Sequence, residues 1–548
     1  MNVQSETMFT KQPNLKTTRT IIPIGHDVKF TFNAADFVPI DSQKIIPGDT
    51  FNYKNSFVLR TSTPLVPVMD NAYVEVAHFF VPERLVWEHA KEYRGENMAD
   101  GDWDEPIEYE KPTIEAPEGG WDFGTIADYL GIVPKVGKIK VDALPFRANA
   151  LIWNEFYRDQ NLQKSIPIDK GDSNTTGSNG SNYLIDAVLG GQPLKVCKYR
   201  DVFTTCLPEP QKGPEVLLPL GTTAPVITST TNNTNTGEAS LNWVKADGSY
   251  ISASRELIAG GINTREGTYS GNTFGFSQGG DALRPANLVA NLNQAVSASI
   301  NDVRNSVVIQ HILERNARNG SRFREVINAA YGVIISDKTN QIPEYLGGKR
   351  IPLNMNQVVQ TSGTTETSPQ GSTAAFSLTV DYDETVLKSF EEWGYILTYI
   401  YVRNENTYQD GIERQWFEIN KWDEYDPAMA NIGEQPILNR EIYAQGTDED
   451  EEIFGFQQAW YNYRYRTDRV AGEFRSKHPT SLDFWHYADD YSALPILGPD
   501  WIQAQKSNFD RTLAVTSEVS DQFHCDFKFN KTAVRVMPLY SIPGLERI

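Results

Sequence analysis

Cysteine is nearly absent: Cys197, Cys206 and Cys525 are the whole complement of a 548-residue chain. An odd number at wide spacing builds no disulfide framework, and without a CxxC pair it builds no tetrahedral zinc site. Three buried thiols in a reducing compartment are the expectation. Long apolar runs are missing too, so no segment has the length of a bilayer-spanning helix, and no membrane insertion is expected. The start, MNVQSETMFTKQPNLKTTRT, has no apolar stretch after its basic residues and does not read as a secretory signal.

Histidine is sparse, at positions 26, 78, 89, 311, 478, 486 and 524, with neither HExxH nor a pair spaced for one helical face. His78 lies in an apolar run and His486 follows Trp485, so both read as structural. There is no GxSxG elbow, and the Gly-Lys pair in YLGGKR (Tyr345–Arg350) lacks the upstream glycine and the Ser or Thr of a phosphate loop. No catalytic residue and no cofactor is expected. Asp100, Asp102 and Asp104 in DGDWDE start like an EF-hand loop. Its sixth position is Glu105 instead of Gly, however, and its twelfth is Lys111 instead of Glu. A solvated acidic loop is the first reading, and a calcium site at these three carboxylates is the alternative.

With 40% hydrophobic and 11% aromatic residues, the chain can bury a sizeable core. Val28–Phe37, Thr50–Leu59 and Ala72–Val81 are rich in Val, Phe, Tyr and Thr and are punctuated by Pro and Gly, which predicts strands joined by loops. Thr373–Val380, Gly394–Arg403 and Thr532–Met537 continue the series. Strands at both ends and in the centre, with long insertions between them, suit a mainly β Greek-key jelly roll. A parallel α/β fold fits poorly, since no regular strand–helix alternation appears. Apolar residues from Leu288 to Arg318 and from Ala148 to Gln160 recur at helical spacing, and Asn319-Gly320 can end the first of these helices.

The net charge of −21 is uneven: from Glu83 to Asp128 there are 14 acidic and 4 basic residues, and DEDEE fills Asp448–Glu452. Both chain ends are mildly positive, through Lys11, Lys16, Arg19 and Lys29 at one and Lys528, Lys531, Arg535 and Arg547 at the other. Residues 221–280, dense in Thr, Asn, Ser and Gly, are too poor in large aliphatics for a core of their own and should be exposed.

Particular stretches carry a resemblance. PIGHDVKFTFNAADFVPID and IIPGDTFNYKNSFVLRTSTPLVPVMDNAYVEVAHFFVPERLVWEHAKEYRGEN open a series continued by LPFRANALIWNEFYRDQNLQ, YRDVFTTCLPEPQKGP, LERNARNGSRFREV, PEYLGG, IGEQPILNREIY, IFGFQQAWYNYRY and SLDFWHYADDY. Together they resemble the major capsid protein of Microviridae, single-stranded DNA bacteriophages, in the gokushovirus-like branch.

The resemblance implies one eight-stranded antiparallel viral jelly roll over residues 1–548, with an acidic insertion at 83–140, an exposed one at 221–280 and a helical one at 281–330. It implies a T=1 icosahedral shell with pentamer and threefold contacts around circular single-stranded DNA. The expected partners are a small basic DNA-packaging protein, an internal scaffolding protein, a pilot protein and a bacterial surface receptor. The protein would reside in the virion, after assembly in the host cytoplasm. Region 221–280 would be the threefold protrusion, with Trp243, Tyr250, Tyr269, Phe274 and Phe276 available for contacts within a trimer or to a host.

The terminal cations Lys11, Lys16, Arg19, Lys29, Lys528, Lys531 and Arg535 either face the genome or are ordinary solvated tails. Trp87, Trp153, Phe156, Trp393, Trp460 and Trp485 are candidate interface anchors or core residues. A trimeric receptor-binding protein and a carbohydrate-active β-sandwich enzyme are the alternatives. Neither accounts for the ordered blocks.

Overall fold

A computed structural model describes residues 18–96, 108–216, 300–365, 369–371 and 373–540, and the strand backbones 226–228, 243–244, 284–285 and 288–290. Met1–Lys212 with Glu314–Ile548 make one unit, and Gly213–Leu313 a second. In the first unit ten strands form two antiparallel sheets: β1 (Thr20–Pro23), β2 (His26–Phe32), β3 (Asp36–Ile45), β4 (Thr50–Thr61), β5 (Ala72–Pro82), β6 (Leu194–Lys195), β7 (Glu344–Pro352), β8 (Thr379–Ser389), β9 (Gly394–Asn404) and β10 (Phe523–Arg535). One sheet runs β1-β10-β4-β8, with β2 also paired to β10, and the other runs β7-β5-β9-β3-β6.

Side-chain alternation explains the first sheet. Along β10, Phe523, Cys525, Phe527 and Phe529 are buried while His524, Asp526, Lys528 and Asn530 are exposed. Phe51, Tyr53, Phe57 and Leu59 of β4 point the same way, and Phe57 stacks on Phe527 with ring centroids 5.6 Å apart. A period of two puts one face of this sheet in the core and the other in water. Strand β9, GYILTYIYVRN, is buried along nearly its whole length because its sheet is covered on both sides. Val74, Val76, Phe80, Ile396 and Ile400 meet the first sheet in one apolar cluster. Phe37, Phe79, Leu397, Tyr399 and Tyr401 meet residues 86–196 in another.

That covering layer contains helix α1 (Leu144–Ile152), which has proline in its first turn, where a missing N–H costs nothing. Ala148 and Ala150 let the helix approach the sheet closely, and Trp87, Trp121 and Trp153 fill the layer. The described parts of the acidic insertion belong to this layer. Glu83 at its start is buried between Arg94 (2.8 Å) and Lys111 (2.7 Å), which outweigh burial and hold its carboxyl below the ordinary range.

Several sequence expectations change. Val28–Phe37 is two strands in different sheets, parted at Asn33–Ala35, where Ala35 takes a positive φ of 68° and its N–H bonds to Val402. Thr373–Val380 is interrupted at Leu378, and Thr373–Ser377 pairs with Met355–Val359 outside the sandwich. The C-terminal strand begins at Phe523, ahead of Thr532, and ends at Arg535.

Leu288–Ala290 is not helical but a strand paired with Val226–Thr228; helix α2 spans Ile300–Asn319 and ends where Gly320 adopts φ 92°. Helix α1 ends at Ile152 and gives way to a single π-turn over Trp153–Tyr157, so the helical stretch does not reach Gln160. Strand β7 was not anticipated, because two glycines and a proline argue against a strand. Gly348 is needed there, since a Cβ would lie 2.5 Å from the Val76 carbonyl oxygen of the neighbouring strand.

Candidate interaction surfaces

The first two strands and the last strand of the described residues share one sheet, since β1 and β2 both pair with β10. On the solvent face of that sheet, Asp27, Lys29 and Thr31 of β2 lie beside His524, Asp526 and Lys528 of β10, followed by Ser56, Val58 and Arg60 of β4. On β2, β10 and β4 Lys29, Lys54, Arg60 and Lys528 stand against Asp27 and Asp526, an excess of two cations in a chain of charge −21. Lys29 and Asp526 are 3.2 Å apart and both well exposed, a pairing of little energetic worth. A groove at one edge of this face brings Lys29, Arg60 and His524 together with Asp36, Asp128, Asp521 and Asp526 and the rings of Phe30, Phe123 and Tyr129, so its lining is not cationic.

The sequence candidates are sorted by burial. Arg19, Lys29 and Lys528 are exposed on or beside this face. Lys531 is not: its ammonium has no exposed surface, is bound to Asp41 and lies 4.4 Å from the Phe529 ring centre, so it is a core cation. Arg535 is also turned inward, to Asp49 (3.1 Å) and the Lys44 carbonyl oxygen (2.7 Å). Lys11, Lys16, Asp100, Asp102, Asp104, Tyr250, Tyr269, Phe274 and Phe276 lie outside the described residues. Trp243 is described only as backbone, paired with Pro285.

Among the described residues no group of three His, Cys, Asp or Glu side chains could hold a metal ion, and no helix is long and apolar enough to cross a membrane. All three cysteines are buried, and burial pushes the Cys197 thiol up to about 11. His78 is a structural histidine between Asn55 (3.0 Å) and Thr398 (2.9 Å), with its pKa driven down to about 3 by burial.

The aromatic anchors divide in the same way. Trp87, Trp153 and Trp460 are buried within the chain, Phe156 packs half-buried against the covering layer, and Trp393 and Trp485 are half-buried. Sequence reading passed over Trp416 and Trp422, each 71% exposed, and Ile419, 85% exposed. The signal was available in GIERQWFEINKWDEYDPAMANI, where large apolar residues alternate with charges at no regular period.

This arm, residues 411–432, is fastened at its base. The Ile412 N–H donates to the Arg440 carbonyl (2.9 Å), Trp460 Nε1 to the Met429 carbonyl (2.9 Å) and Asn462 to Glu418 (2.7 Å). Below it Glu441 accepts from the Leu438 N–H (3.1 Å) and the Tyr461 hydroxyl, with Arg414 3.5 Å away. Burial outweighs Arg414 and raises the Glu441 carboxyl from 4.5 to about 7. The folded state then holds a proton that the unfolded chain has released, so this group's contribution to stability falls as pH rises from about 4.5 through about 7. Glu441→Gln should flatten that part of the stability–pH curve and raise the urea midpoint at pH 8. An unchanged curve would contradict the assignment.

The antiparallel β-sandwich thus exposes a sheet face with a small excess of lysine and arginine and an aromatic arm held at its base by hydrogen bonds. Comparison makes the class specific. The family described as Capsid protein (F protein) matches residues 11–545. Capsid protein VP1 of Spiroplasma virus 4 is 42% identical over 534 residues, covering 97% of this chain and 96% of that protein. Capsid protein VP1 of Bdellovibrio phage phiMH2K is 38% identical over 542 residues (98% and 97%), and that of Chlamydia phage 1 is 34% identical over 595 residues (98% of each). The chain belongs to this capsid protein family, in its gokushovirus-like Microviridae branch. It is a structural capsid protein, and the enzyme and receptor-binding readings fall with that finding.

Proposed function

We propose that the chain forms a T=1 icosahedral shell around circular single-stranded DNA, with the solvent face of the β2-β10-β4-β8 sheet turned to the genome. The observation that carries this reading is the excess of two cations on β2, β10 and β4 in a strongly acidic protein. Phosphate neutralisation by Lys and Arg supplies most non-specific affinity for nucleic acid. The pairing orders β2-β10-β4-β8 and β7-β5-β9-β3 support an eight-stranded jelly roll, because the chain changes sheet between every consecutive pair of these eight strands except β5 and β7, which are neighbours in one sheet.

The positive excess is small, which favours a separate small basic packaging partner. The purified chain alone should bind single-stranded DNA only weakly at physiological salt. The other family partners, a scaffolding protein, a pilot protein and a bacterial receptor met by residues 221–280, belong to the same reading, as does assembly in the host cytoplasm. Its test is Lys29→Glu with Arg60→Glu and Lys528→Glu in the full chain. Particles should still form but should hold several-fold less nuclease-protected DNA than wild type. Undiminished protected DNA would place the genome against another surface.

A further inference from the structure

We infer that helix α3 (Phe323–Tyr331) and the residues just after it form a face that a second copy of this chain covers, an inference that rests on the shell reading. The helix is turned inside out. Phe323, Val326, Ile327, Ala330 and Tyr331 recur at i, i+3, i+4, i+7 and i+8, the spacing of one apolar helical stripe. Such a stripe ordinarily packs on the core, yet Phe323 is 65% and Tyr331 79% exposed, and beyond the helix Val333 and Ile334 are 52% and 88% exposed. No residue of this helix is buried.

Its charges point into its own chain instead. Arg322 donates to the Asn154 (2.9 Å) and Arg158 (3.0 Å) carbonyls, and Arg324 to the Glu155 carbonyl (3.3 Å) with its guanidinium 4.9 Å from the Phe156 ring centre. Glu325 accepts from the Gln160 amide (2.6 Å) and the Arg322 N–H (3.1 Å). These three are the only charged residues from Gly320 to Ser336. The Gly332 N–H closes the other end on the Asn328 carbonyl (2.8 Å), so the stripe is in place before a partner arrives and loses little freedom on binding.

Area and the lack of charge identify the occupant. An aromatic side chain buries about 150–250 Å², so the exposed parts of Phe323, Val326, Tyr331, Val333 and Ile334 present on the order of 600 Å² of apolar surface. That reaches the upper end of the roughly 300–600 Å² patch of a soluble monomer and approaches the ~800 Å² that each partner gives to a stable interface. Nucleic acid and a basic packaging peptide are bound through charge, and the stripe offers none. Every subunit carries the same stripe, and in a shell of one chain type a second copy is the cover available to all of them.

The experiment uses the full chain under conditions in which the wild type forms shells. Tyr331→Ser with Ile334→Ser should leave the urea midpoint of the unassembled protein unchanged, since both side chains are exposed there, and lower particle yield at least tenfold. Tyr331→Phe, which keeps the apolar ring, should assemble like wild type. A photo-reactive benzophenone side chain in place of Tyr331 should, on irradiation of particles, give a band of twice the chain's mass in which both linked peptides come from this chain. Normal yield from the double variant, or a lowered urea midpoint in it, overturns the inference while the shell reading stands. So does a cross-link to nucleic acid, to a different protein or only within one chain. A wild-type chain that forms no shell overturns both.

Discussion

Asp41→Asn is expected to destabilise the unassembled chain by about 3–5 kcal/mol, because it leaves the Lys531 ammonium charged and uncompensated in the core. Lys531 is bound to Asp41 with no side-chain exposure, and His26 lies 3.3 Å from the other carboxylate oxygen. The aromatic faces of Tyr53 and Phe529, 5.0 and 4.4 Å from the ammonium, soften the burial without replacing the counter-charge. The double change Asp41→Leu with Lys531→Met removes both charges together and should recover most of the loss. Urea unfolding with an unchanged slope is the measurement, and equal losses in single and double variants would refute the argument.

The same site has a definite pH sign. Burial pushes the Asp41 carboxyl up, but His26 and Lys531 together outweigh it and hold it below 3.8. A depressed carboxyl contributes stability that is present above its unfolded pKa and lost as pH falls through the folded value. His78 acts in the same direction, since its folded pKa of about 3 lies below the ordinary 6.5 and its neutral form is increasingly opposed as pH falls below 6.5. Acid should therefore weaken this sandwich first through His78, as pH falls below 6.5, and at lower pH through Asp41.

Phe527→Ala is expected to cost about 3–5 kcal/mol, the range for deleting a fully buried aromatic ring. Phe527 has no exposure and contacts Phe57 (5.6 Å) and Phe529 (4.6 Å) between the two sheets. Such a loss is a large fraction of a domain's total stability, so the soluble subunit and the particle yield should fall together. Val58→Ala, on the solvent face of the neighbouring strand, should change the unfolding free energy from urea titration by less than about 0.5 kcal/mol. If the two positions responded alike, the inward and outward faces would be assigned wrongly.

Legibility in the sequence followed burial pattern. Thr50–Thr61, Ala72–Pro82 and Gly394–Asn404 were readable because β-branched and aromatic residues run unbroken between turn residues. The break at Asn33–Ala35 was not, since no glycine or proline marks it. It exists because the chain passes there from one sheet to the other, with Gln522 accepting the Ala34 N–H at 2.8 Å. The cationic face was half readable: Lys29 and Lys528 alternate with buried aromatics, but the same alternation places Lys531 inside the core. The aromatic arm was missed because it has no periodicity, and tryptophan alone does not tell core from surface.

The sequence by itself determined the mainly β character, the acidic balance and, through its ordered blocks, the family, because propensity, composition and wording are properties of the chain read in line. Only the tertiary structure decided which lysines are surface charges and which are core counter-ions, and which tryptophans fill the interior and which face solvent. Those distinctions depend on what the far ends of the chain bring to each side chain: Lys531 finds Asp41, and Trp87 finds its covering layer, only after the strands have paired.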